Sequence, residues 1–379
     1  MRILVNAATI VVGGGIQVTV NFIENTLNKE DEYFYVISKN VNEQLINDIP
    51  QEKKKVVDIS PASIISGGKT KKKILKLEKE FNPDIVYSIG APSYIKFRTK
   101  EVQRLTNPWV IGPNKHAVSV YGLFAKIKML TKLRLQRLYI RKSNFIITQT
   151  HEAKSKINKN LKIPVENIYV IPNVYSKIFD QYQNKNIENY RGTDKVKIFC
   201  LSAPYPHKNI SIIPKLVKEI ELLKPNLNFE FIVTLPENDF LNKFNKELSD
   251  LGILNRVKNI GKLKLVDLPE VYSQSNVLFL PTLLEVYSVT YLESMRMGVP
   301  IVTTNFSFSK EVCQDAALYF EPFDYKEAAI NIIRVIFDDN LRDVLLSKGE
   351  DIIRQSKSQE YIYNKHIEIL KKIVLNDKN

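Results

Sequence analysis

The sequence predicts an α/β protein with two domains, each built on a parallel sheet that is covered by helices. Its 379 residues are more than one compact core usually holds, which favours two domains. Short apolar runs without alternation, such as Val277–Leu280, are typical of parallel strands that are buried on both faces. Helix-forming segments separate these runs, and that alternation predicts parallel sheets.

Composition narrows the class of protein. Hydrophobic residues make up 44% and charged residues 25%, which is typical of a soluble globular protein. Cys200 and Cys313 both lie in apolar segments, which favours packing in a reducing compartment over a disulfide or a metal site. The chain starts with a strand-like M-R-I-L-V-N, and we expect neither a secretory signal nor a membrane-spanning segment, so the expected location is cytoplasmic.

The first domain is expected over residues 1–180. Its predicted strands are residues 3–5, 34–38, 55–59, 84–90 and 109–112, with helices that include residues 17–27 and 71–81. Gly13, Gly14 and Gly15 follow the first strand, where they would let a ligand approach the backbone next to a helix N-terminus. A plain tight turn explains these glycines equally well. They do not form a dinucleotide-binding fingerprint, so no nicotinamide cofactor is predicted.

His116 follows the predicted strand 109–112, and the carboxyl end of a parallel strand is a candidate wall of a site. A neutral imidazole serves as well in a structural hydrogen bond as in a site, so both interpretations stay open. Residues 121–142 then combine many cations with apolar side chains that fall mostly on one helical arc. This pattern fits a surface helix or a face for anionic lipid.

The excess positive charge is confined to the first half of the chain. Residues 1–180 contain 29 lysines and arginines against 15 acidic residues, whereas residues 181–379 contain 26 of each. We expect the excess to meet an anionic membrane face or a lipid-phosphate acceptor through 121–142 and a lysine cluster at Lys69, Lys71, Lys72, Lys73 and Lys76. A solubilising surface is the alternative. Nucleic-acid binding is not expected, because no interleaved aromatic pattern accompanies the cations.

The second domain is expected over residues 181–357, because residues 180–193 are polar and lack periodicity. Within it, the strand Val277–Leu280 leads through a loop that holds Glu285 to a helix that begins near Ser288. The amides of Tyr287, Ser288 and Val289 would then stabilise an anion such as a diphosphate. Carboxylates at Glu285 and Glu293 suit the vicinal hydroxyls of a sugar or a ribose, although ordinary solvated glutamates are the alternative.

Residue order in the second half resembles the donor-binding half of the retaining group 1 glycosyltransferases (glycosyltransferase family four). The resemblance lies in Glu-x7-Glu after a buried strand, followed by M-G-V-P-I-V-T-T and K-E-V-C-Q-D-A-A-L-Y-F-E-P-F-D. It is specific over Leu280–Asp324 and weaker through most of the chain. It implies the GT-B fold, with two Rossmann-like domains facing a central cleft and a last helix, within 358–379, that packs back on the first domain.

The same resemblance implies roles for individual residues. Lys208 matches a lysine that is aimed at the donor diphosphate, but the usual arginine near it is absent, and His207 is a candidate hydrogen-bond donor in its stead. Gly261, Lys262 and Leu263 match the turn that wraps the nucleotide base. The resemblance also implies that Gly13–Gly15 face the donor phosphates and that His116 lies near the reacting carbons. Glu285 would bind the sugar hydroxyls, and Glu293 would bind the ribose diol.

We therefore expect an enzyme that transfers a sugar from a nucleotide-diphosphate sugar to a glycan or lipid-linked acceptor in bacterial surface polysaccharide synthesis. No cofactor beyond that co-substrate is expected, and no metal, because the sequence holds no Asp-x-Asp pair. A sugar-nucleotide 2-epimerase of similar architecture and a catalytically silent sugar-nucleotide-binding partner are the alternatives. The base, the sugar and the acceptor are not predicted.

Overall fold

The computed structural model describes residues 1–11, 13–27, 29–45, 47–143, 145–182 and 195–375. These residues form two compact units. The first contains Met1–Pro113, Leu123–Val174 and the described residues of Lys357–Asn379. The second contains Asn114–Gly122 and the described residues of Tyr175–Ser356.

The first unit is built on a seven-stranded sheet in which every pair of neighbouring strands is parallel. Its strands are β1 (Arg2–Ala7), β2 (Glu32–Ser38), β3 (Lys54–Val57), β4 (Ile85–Ile89), β5 (Glu101–Arg104), β6 (Phe145–Thr148) and β7 (Ile168–Val170). Their order is β3-β2-β1-β4-β5-β6-β7. The strand order reverses direction between β1 and β4, which is where ligands bind in open sheets of this kind.

The second unit repeats this plan with six parallel strands. They are β8 (Val196–Cys200), β9 (Phe229–Val233), β10 (Val257–Asn259), β11 (Val277–Leu280), β12 (Ile301–Thr304) and β13 (Ala317–Phe320). Their order is β10-β9-β8-β11-β12-β13, so the reversal lies between β8 and β11.

Helices connect the strands. In the first half they are α1 (Gly14–Glu24), α2 (Lys39–Asn42), α3 (Gly67–Phe81), α4 (Pro108–Ile111), α5 (Lys115–Ser119), α6 (Leu123–Ile140) and α7 (His151–Leu161). In the second half they are α8 (Ile213–Leu223), α9 (Asp239–Asp250), α10 (Leu268–Ser273), α11 (Val289–Arg296), α12 (Ser307–Cys313), α13 (Tyr325–Phe337), α14 (Asp339–Gln355) and α15 (Gln359–Leu375). Neither α14 nor the short helices α2, α4, α5 and α10 were predicted from the sequence. No helix in the described part of the chain is both long and apolar enough to span a membrane.

Both faces of the second sheet are buried, as the apolar runs predict. Val277 and Phe279 of β11 enter one hydrophobic core, whereas Leu278 and Leu280 enter the core on the opposite face. Successive side chains of a strand point to opposite faces, so both sets must be apolar.

The last helix, α15, packs into the core of the first unit, which confirms the expected return of the chain to that unit. Tyr363 of α15 lies 5.9 Å, between ring centroids, from Phe22 of α1, and Phe22 in turn lies 5.0 Å from Tyr87 of β4. The hydroxyls of Tyr33 and Tyr363 share a buried hydrogen bond of 2.7 Å. Aromatic packing and this buried hydrogen bond therefore help to hold α15 to the sheet.

One predicted strand is wrong. Residues 109–112 lie in and next to α4, whose first turn holds Pro108 and whose N-terminus is capped by the side chain of Asn107, which accepts the amide of Trp109. The strand is instead β5, with the polar sequence E-V-Q-R. Gln103 and Arg104 are nevertheless buried, at 1% and 3% exposure. Nε2 of Gln103 and the two terminal nitrogens of Arg104 make interior contacts with polar groups, and hydrophobic periodicity cannot detect such a strand.

The units also differ from the expected division at residue 180. Residues 114–122 and 175–180 lie in the second unit. Phe179 is fully buried in that unit's core, 5.9 Å from the ring of Tyr272, and Asp180 forms a 3.0 Å ion pair with Arg296. These contacts fix residues 175–180 to the second unit, although the polar segment from which the boundary was predicted begins only at residue 180.

The Tyr33–Tyr363 contact predicts a measurable coupling. Tyr363→Phe leaves the buried hydroxyl of Tyr33 without its partner, and such a group costs about 1–3 kcal/mol of unfolding free energy. The double variant Tyr33→Phe/Tyr363→Phe removes both hydroxyls, so we expect it to lose less stability than the sum of the two single variants. Urea unfolding of the four proteins measures this cycle. Strictly additive losses would show that the contact does not hold α15.

Candidate functional site

Lys208 and Glu285 meet at the carboxyl edge of the second sheet. Lys208 ends a short 3-10 turn, Pro206–Lys208, that follows β8, and Glu285 lies in the loop after β11. Because β8 and β11 are neighbours at the reversal of the strand order, these loops lie side by side. Nζ of Lys208 donates to Oε1 of Glu285, and the side chains are 23% and 17% exposed. The structure thus brings two predicted site residues together as an ion pair.

The chain next to this pair is tied down by a backbone hydrogen bond. The amide of Leu283 donates to the carbonyl of His207 at 2.7 Å. The two loops are therefore connected through their main chains as well as through charged side chains. This connection limits how far Lys208 and Glu285 can separate.

Helix α11 begins at Val289, one residue after the predicted start, with Ser288 as its N-cap and no side chain capping it. Tyr287, Ser288 and Val289 therefore lie at the positive end of the helix, in the loop that also carries Glu285. A cation and a helix N-terminus on one loop cluster are suited to a diphosphate.

Glu293 lies inside α11 and is only 7% exposed. Its Oε2 accepts a hydrogen bond of 3.2 Å from the hydroxyl of Tyr272. Burial raises the pKa of the Glu293 carboxyl to about 7, and the Tyr272 hydrogen bond opposes the increase. The carboxyl is therefore partly protonated near neutral pH, and its expected contact with a ribose stays a prediction.

His207 cannot replace the charge of the absent arginine. Its ring stacks on Tyr205, with centroids 5.6 Å apart, and its Nδ1 lies 3.3 Å from the hydroxyl of Tyr121. Burial, together with the positive charge of Lys208, lowers the pKa of His207 to about 4. The imidazole is thus neutral near pH 7 and can donate through only one nitrogen.

His116 lies in α5, not after a strand, and α5 belongs to the second unit. Its ring packs against Phe306 and Phe323, each with a centroid distance of 5.9 Å. The segment is attached by Asn114, whose Nδ2 donates to the carbonyl of Leu283 at 2.7 Å. His116 is thereby carried by the same unit as Lys208 and Glu285.

Sequence reasoning missed Asn114 and Tyr121. Asn114 is also the N-cap of α5 and accepts the amide of Ala117 at 2.9 Å. That capping role is visible in the sequence as an asparagine before a short helix. Its bond to Leu283 and the position of Tyr121 beside His207 span more than eighty residues and had no local signal.

The remaining predicted residues lie in turns. Gly13 has φ 71° and precedes α1 in the first unit, together with Gly14 and Gly15. Gly261 also has φ 71°, and its amide donates to Oδ1 of Asn259 at the end of β10. Lys262 is exposed and Leu263 is half-buried. A left-handed backbone favours glycine at Gly13 and Gly261. The ligand contacts expected for these turns stay predictions.

We compared the chain with models of known protein families. Residues 182–351 match the model of the family described as glycosyl transferases group 1. This part of the chain is similar to the group 1 glycosyltransferases. The matched range holds Lys208, Glu285 and Glu293, so the ion pair and α11 lie within it.

Curated relatives agree with that family. The chain is 25% identical over 206 residues to the O-antigen chain mannosyltransferase RfbU of Salmonella typhimurium, a match that covers 54% of this chain and 55% of that protein. It is 29% identical over 93 residues to the O-antigen chain mannosyltransferase B of Escherichia coli, which covers 24% of each protein. The chain thus spans about half of the length of the first relative and about a quarter of the second.

Solved structures show the same fold. HepE of Anabaena, in complex with UDP and glucose, superposes with a TM-score of 0.75 at 16% identity and covers 98% of this chain and 100% of its own. WaaG, a glycosyltransferase involved in lipopolysaccharide biosynthesis, gives a TM-score of 0.73 at 13% identity, with 97% and 99% covered. These likenesses confirm the GT-B fold that the sequence predicts.

The protonation of Glu293 predicts how stability depends on pH in the second unit. A carboxyl whose folded-state pKa is raised from 4.5 to about 7 stabilises the fold below pH 4.5, and that contribution is lost as the pH rises through 7. Glu293→Gln cannot ionise. We expect the melting temperature of Glu293→Gln, relative to wild type, to increase between pH 5 and pH 8, by the equivalent of up to about 3 kcal/mol.

Thermal unfolding without nucleotide measures this difference. Glu247→Gln is the matched control, because Glu247 lies exposed on α9. Its melting temperature should keep a constant offset from wild type across the same range. A constant offset for Glu293→Gln as well would contradict the raised pKa.

Proposed function

We propose that this chain is a retaining glycosyltransferase that moves a sugar from a nucleotide-diphosphate sugar to a glycan or lipid-linked acceptor. The observation that carries the proposal is the Lys208–Glu285 ion pair beside the N-terminus of α11, inside the range that matches the group 1 family. The relatives support the class of reaction, since two of them are named O-antigen chain mannosyltransferases.

In this proposal the ion pair is exchanged when the donor binds. A diphosphate brings negative charge to the end of α11, and Lys208 turns from Glu285 to a phosphate oxygen. The released carboxylate of Glu285 accepts hydroxyls of the transferred sugar, and Glu293 holds the ribose diol. Charge that develops on the leaving diphosphate is then stabilised by Lys208 and by the amides of residues 287–289.

Because His207 is neutral, the proposal assigns it no part in balancing the charge of the diphosphate. With no arginine in the loop after β8 and no charge on His207, Lys208 is the cation that this loop offers the diphosphate. We assign a correspondingly larger share of phosphate stabilisation to the amides of α11. Transfer is proposed to need no divalent metal, and no cluster of three or more His, Cys, Asp or Glu side chains suited to a metal occurs among the described residues.

The acceptor is proposed to lie at an anionic membrane surface on the cytoplasmic side. Six large apolar residues of α6 are exposed, and those of its first turns include Leu123 at 70%, Phe124 at 88% and Ile127 at 54%. They alternate with cations such as Lys126 and Lys128. Apolar side chains that point to solvent among lysines suit the interface of an anionic bilayer.

A second exposed apolar pair lies in the same unit. Ile64 and Ile65 are 95% and 98% exposed, just before α3 and its lysine cluster. Nζ of Lys71 in α3 lies 5.6 Å from the ring centroid of Tyr139 in α6, so the two basic helices are neighbours. The exposed apolar residues beside the lysines of two neighbouring helices support peripheral membrane binding and surface polysaccharide as the product class.

The ion-pair exchange predicts opposite effects of its two members. Glu285→Gln should lower the rate of sugar transfer about a hundredfold while nucleotide affinity stays the same or rises, because Lys208 loses its competing partner. Lys208→Met should weaken UDP or GDP binding about tenfold or more. Transfer is assayed in EDTA with GDP-mannose and UDP-glucose as first donors, and affinity by calorimetry.

Two outcomes would contradict this assignment. Equal losses of nucleotide affinity in both variants would make Glu285 a binding residue only. An epimer formed by the wild type from donor alone would favour a 2-epimerase, and no transfer in single-turnover assays would favour a silent binding partner. Lys243→Met is the control, because Lys243 is an exposed lysine on α9 of the same unit, away from every residue assigned to the site.

The exposed face of α6 predicts lipid binding. Wild-type protein should float with vesicles that contain anionic lipid and stay unbound with neutral vesicles, and high salt should release it. Phe124→Ser/Ile127→Ser should weaken binding about tenfold or more, since each buried apolar side chain contributes about 1.5–3 kcal/mol. The control Ile330→Ser/Val344→Ser removes exposed apolar residues from the second unit and should float normally. If the wild-type protein never floats with anionic vesicles, only a solubilising role remains for these exposed residues.

A further inference from the structure

Arg104, at the end of β5, is a buried cation without an acidic partner. It is 3% exposed, its Nη2 donates to Oδ1 of Asn173 at 2.7 Å, and its Nη1 contacts Nε2 of His366. Its Nε is buried and makes no hydrogen bond. Within the described residues, no carboxylate oxygen lies within the 4.0 Å of an ion pair with it. The positive charge therefore meets only neutral groups.

His366 does not share or offset that charge. Burial, and next the positive charge of Arg104, hold the pKa of His366 well below its ordinary value. A neutral ring fits its contacts, since Nδ1–H donates to the carbonyl of Ile362 at 2.7 Å and Nε2 accepts from Arg104. Glu101 on the same strand points to the opposite face, because it lies three positions away. Its carboxylate accepts from Ser88 and Gln103 instead.

The guanidinium lines a hollow in the first unit. The hollow has a volume of about 50 Å³ and lies between α1, the chain at Pro172–Val174 and α15. Phe22 and Ile362 form apolar walls, while Asn25 and Gln359 add polar groups. Arg104 is the cation of its lining, and no acidic residue belongs to the described lining. A hollow of this size can hold only a very small molecule or ion, and it combines apolar walls with a few convergent polar groups, as binding sites do.

We propose that this hollow is a binding site for a small anion that carries a carboxylate or a phosphate, held on Arg104. A buried charge is strongly destabilising unless a counter-charge pairs with it. A guanidinium offers five N–H donors in a planar fork that matches both oxyanions, and Arg104 directs two of them to Asn173 and His366. An oxyanion in the hollow would supply the missing charge.

The site is separate from the proposed donor site. Lys208 and Glu285 belong to the second unit, whereas every residue of the hollow belongs to the first. The hollow includes residues next to two of the four points where the chain passes between units, at Asn173 and Gln359. A bound anion would thus contact the start of α15 and the end of the segment after β7, and it would stabilise the first unit.

The test measures an NMR signal of the Arg104 side chain. The ¹⁵Nε–Hε resonance, assigned with Arg104→Lys, is titrated with inorganic phosphate and with malonate, and with chloride at matched ionic strength as the reference. We expect a saturable shift with phosphate or malonate and none with chloride. Phosphate and malonate distinguish a phosphate-bearing ligand from a carboxylate-bearing one.

Variants decide whether the hollow is responsible. Val18→Trp fills the hollow from α1 without touching the charge, and we expect it to weaken anion binding at least tenfold; Asn25→Leu is the second variant should Val18→Trp fail to fold. Leu222→Trp, exposed on α8, and Lys208→Met should titrate like wild type. A response equal to that of chloride would overturn the proposal. So would wild-type affinity in both hollow variants, or loss of the response in Lys208→Met.

Discussion

The ion pair between Lys208 and Glu285 is the interaction on which the proposed chemistry depends. Neither residue is placed by its neighbours in sequence, since they follow two strands that lie almost eighty positions apart. The parallel pairing of β8 with β11 brings their carboxyl ends together, and the Leu283–His207 hydrogen bond keeps the loops in register. A partly exposed pair of this kind adds little to stability. Its value lies in holding one positive and one negative group ready for a ligand that needs both.

Both units bury polar side chains. Glu293 is buried in α11 against Tyr272, and β5 carries Glu101, Gln103 and Arg104 through the middle of the first sheet. Each of these groups would be costly in an apolar interior without hydrogen bonds. Burial raises the pKa of Glu101 to about 7, as it does for Glu293. Such groups are more typical of sites and switches than of packing alone.

Segment 114–122 shows how a site can draw on a distant part of the chain. It lies in the first half of the sequence, yet it packs with the second unit through Asn114, Tyr121 and the ring of His116. The consequence is that the loops after β8 and β11 receive polar and aromatic groups from outside the group 1 range. Segment 114–122 is therefore structurally part of the second unit.

Much of the architecture could be predicted from the sequence, because strands such as β11 must be apolar on both faces and helices such as α11 carry local start and stop signals. The Glu-x7-Glu pattern and its surroundings also predicted the similarity to the group 1 family, whereas the ligand contacts of the site stay predictions. Only the tertiary structure decided that β5 is a polar central strand, that residues 114–122 join the second unit, and that Arg104 stays unpaired beside a hollow. Each of these features depends on hydrogen bonds or packing contacts between residues that are far apart in the chain. A local pattern of polarity does not show which distant residues will make those contacts.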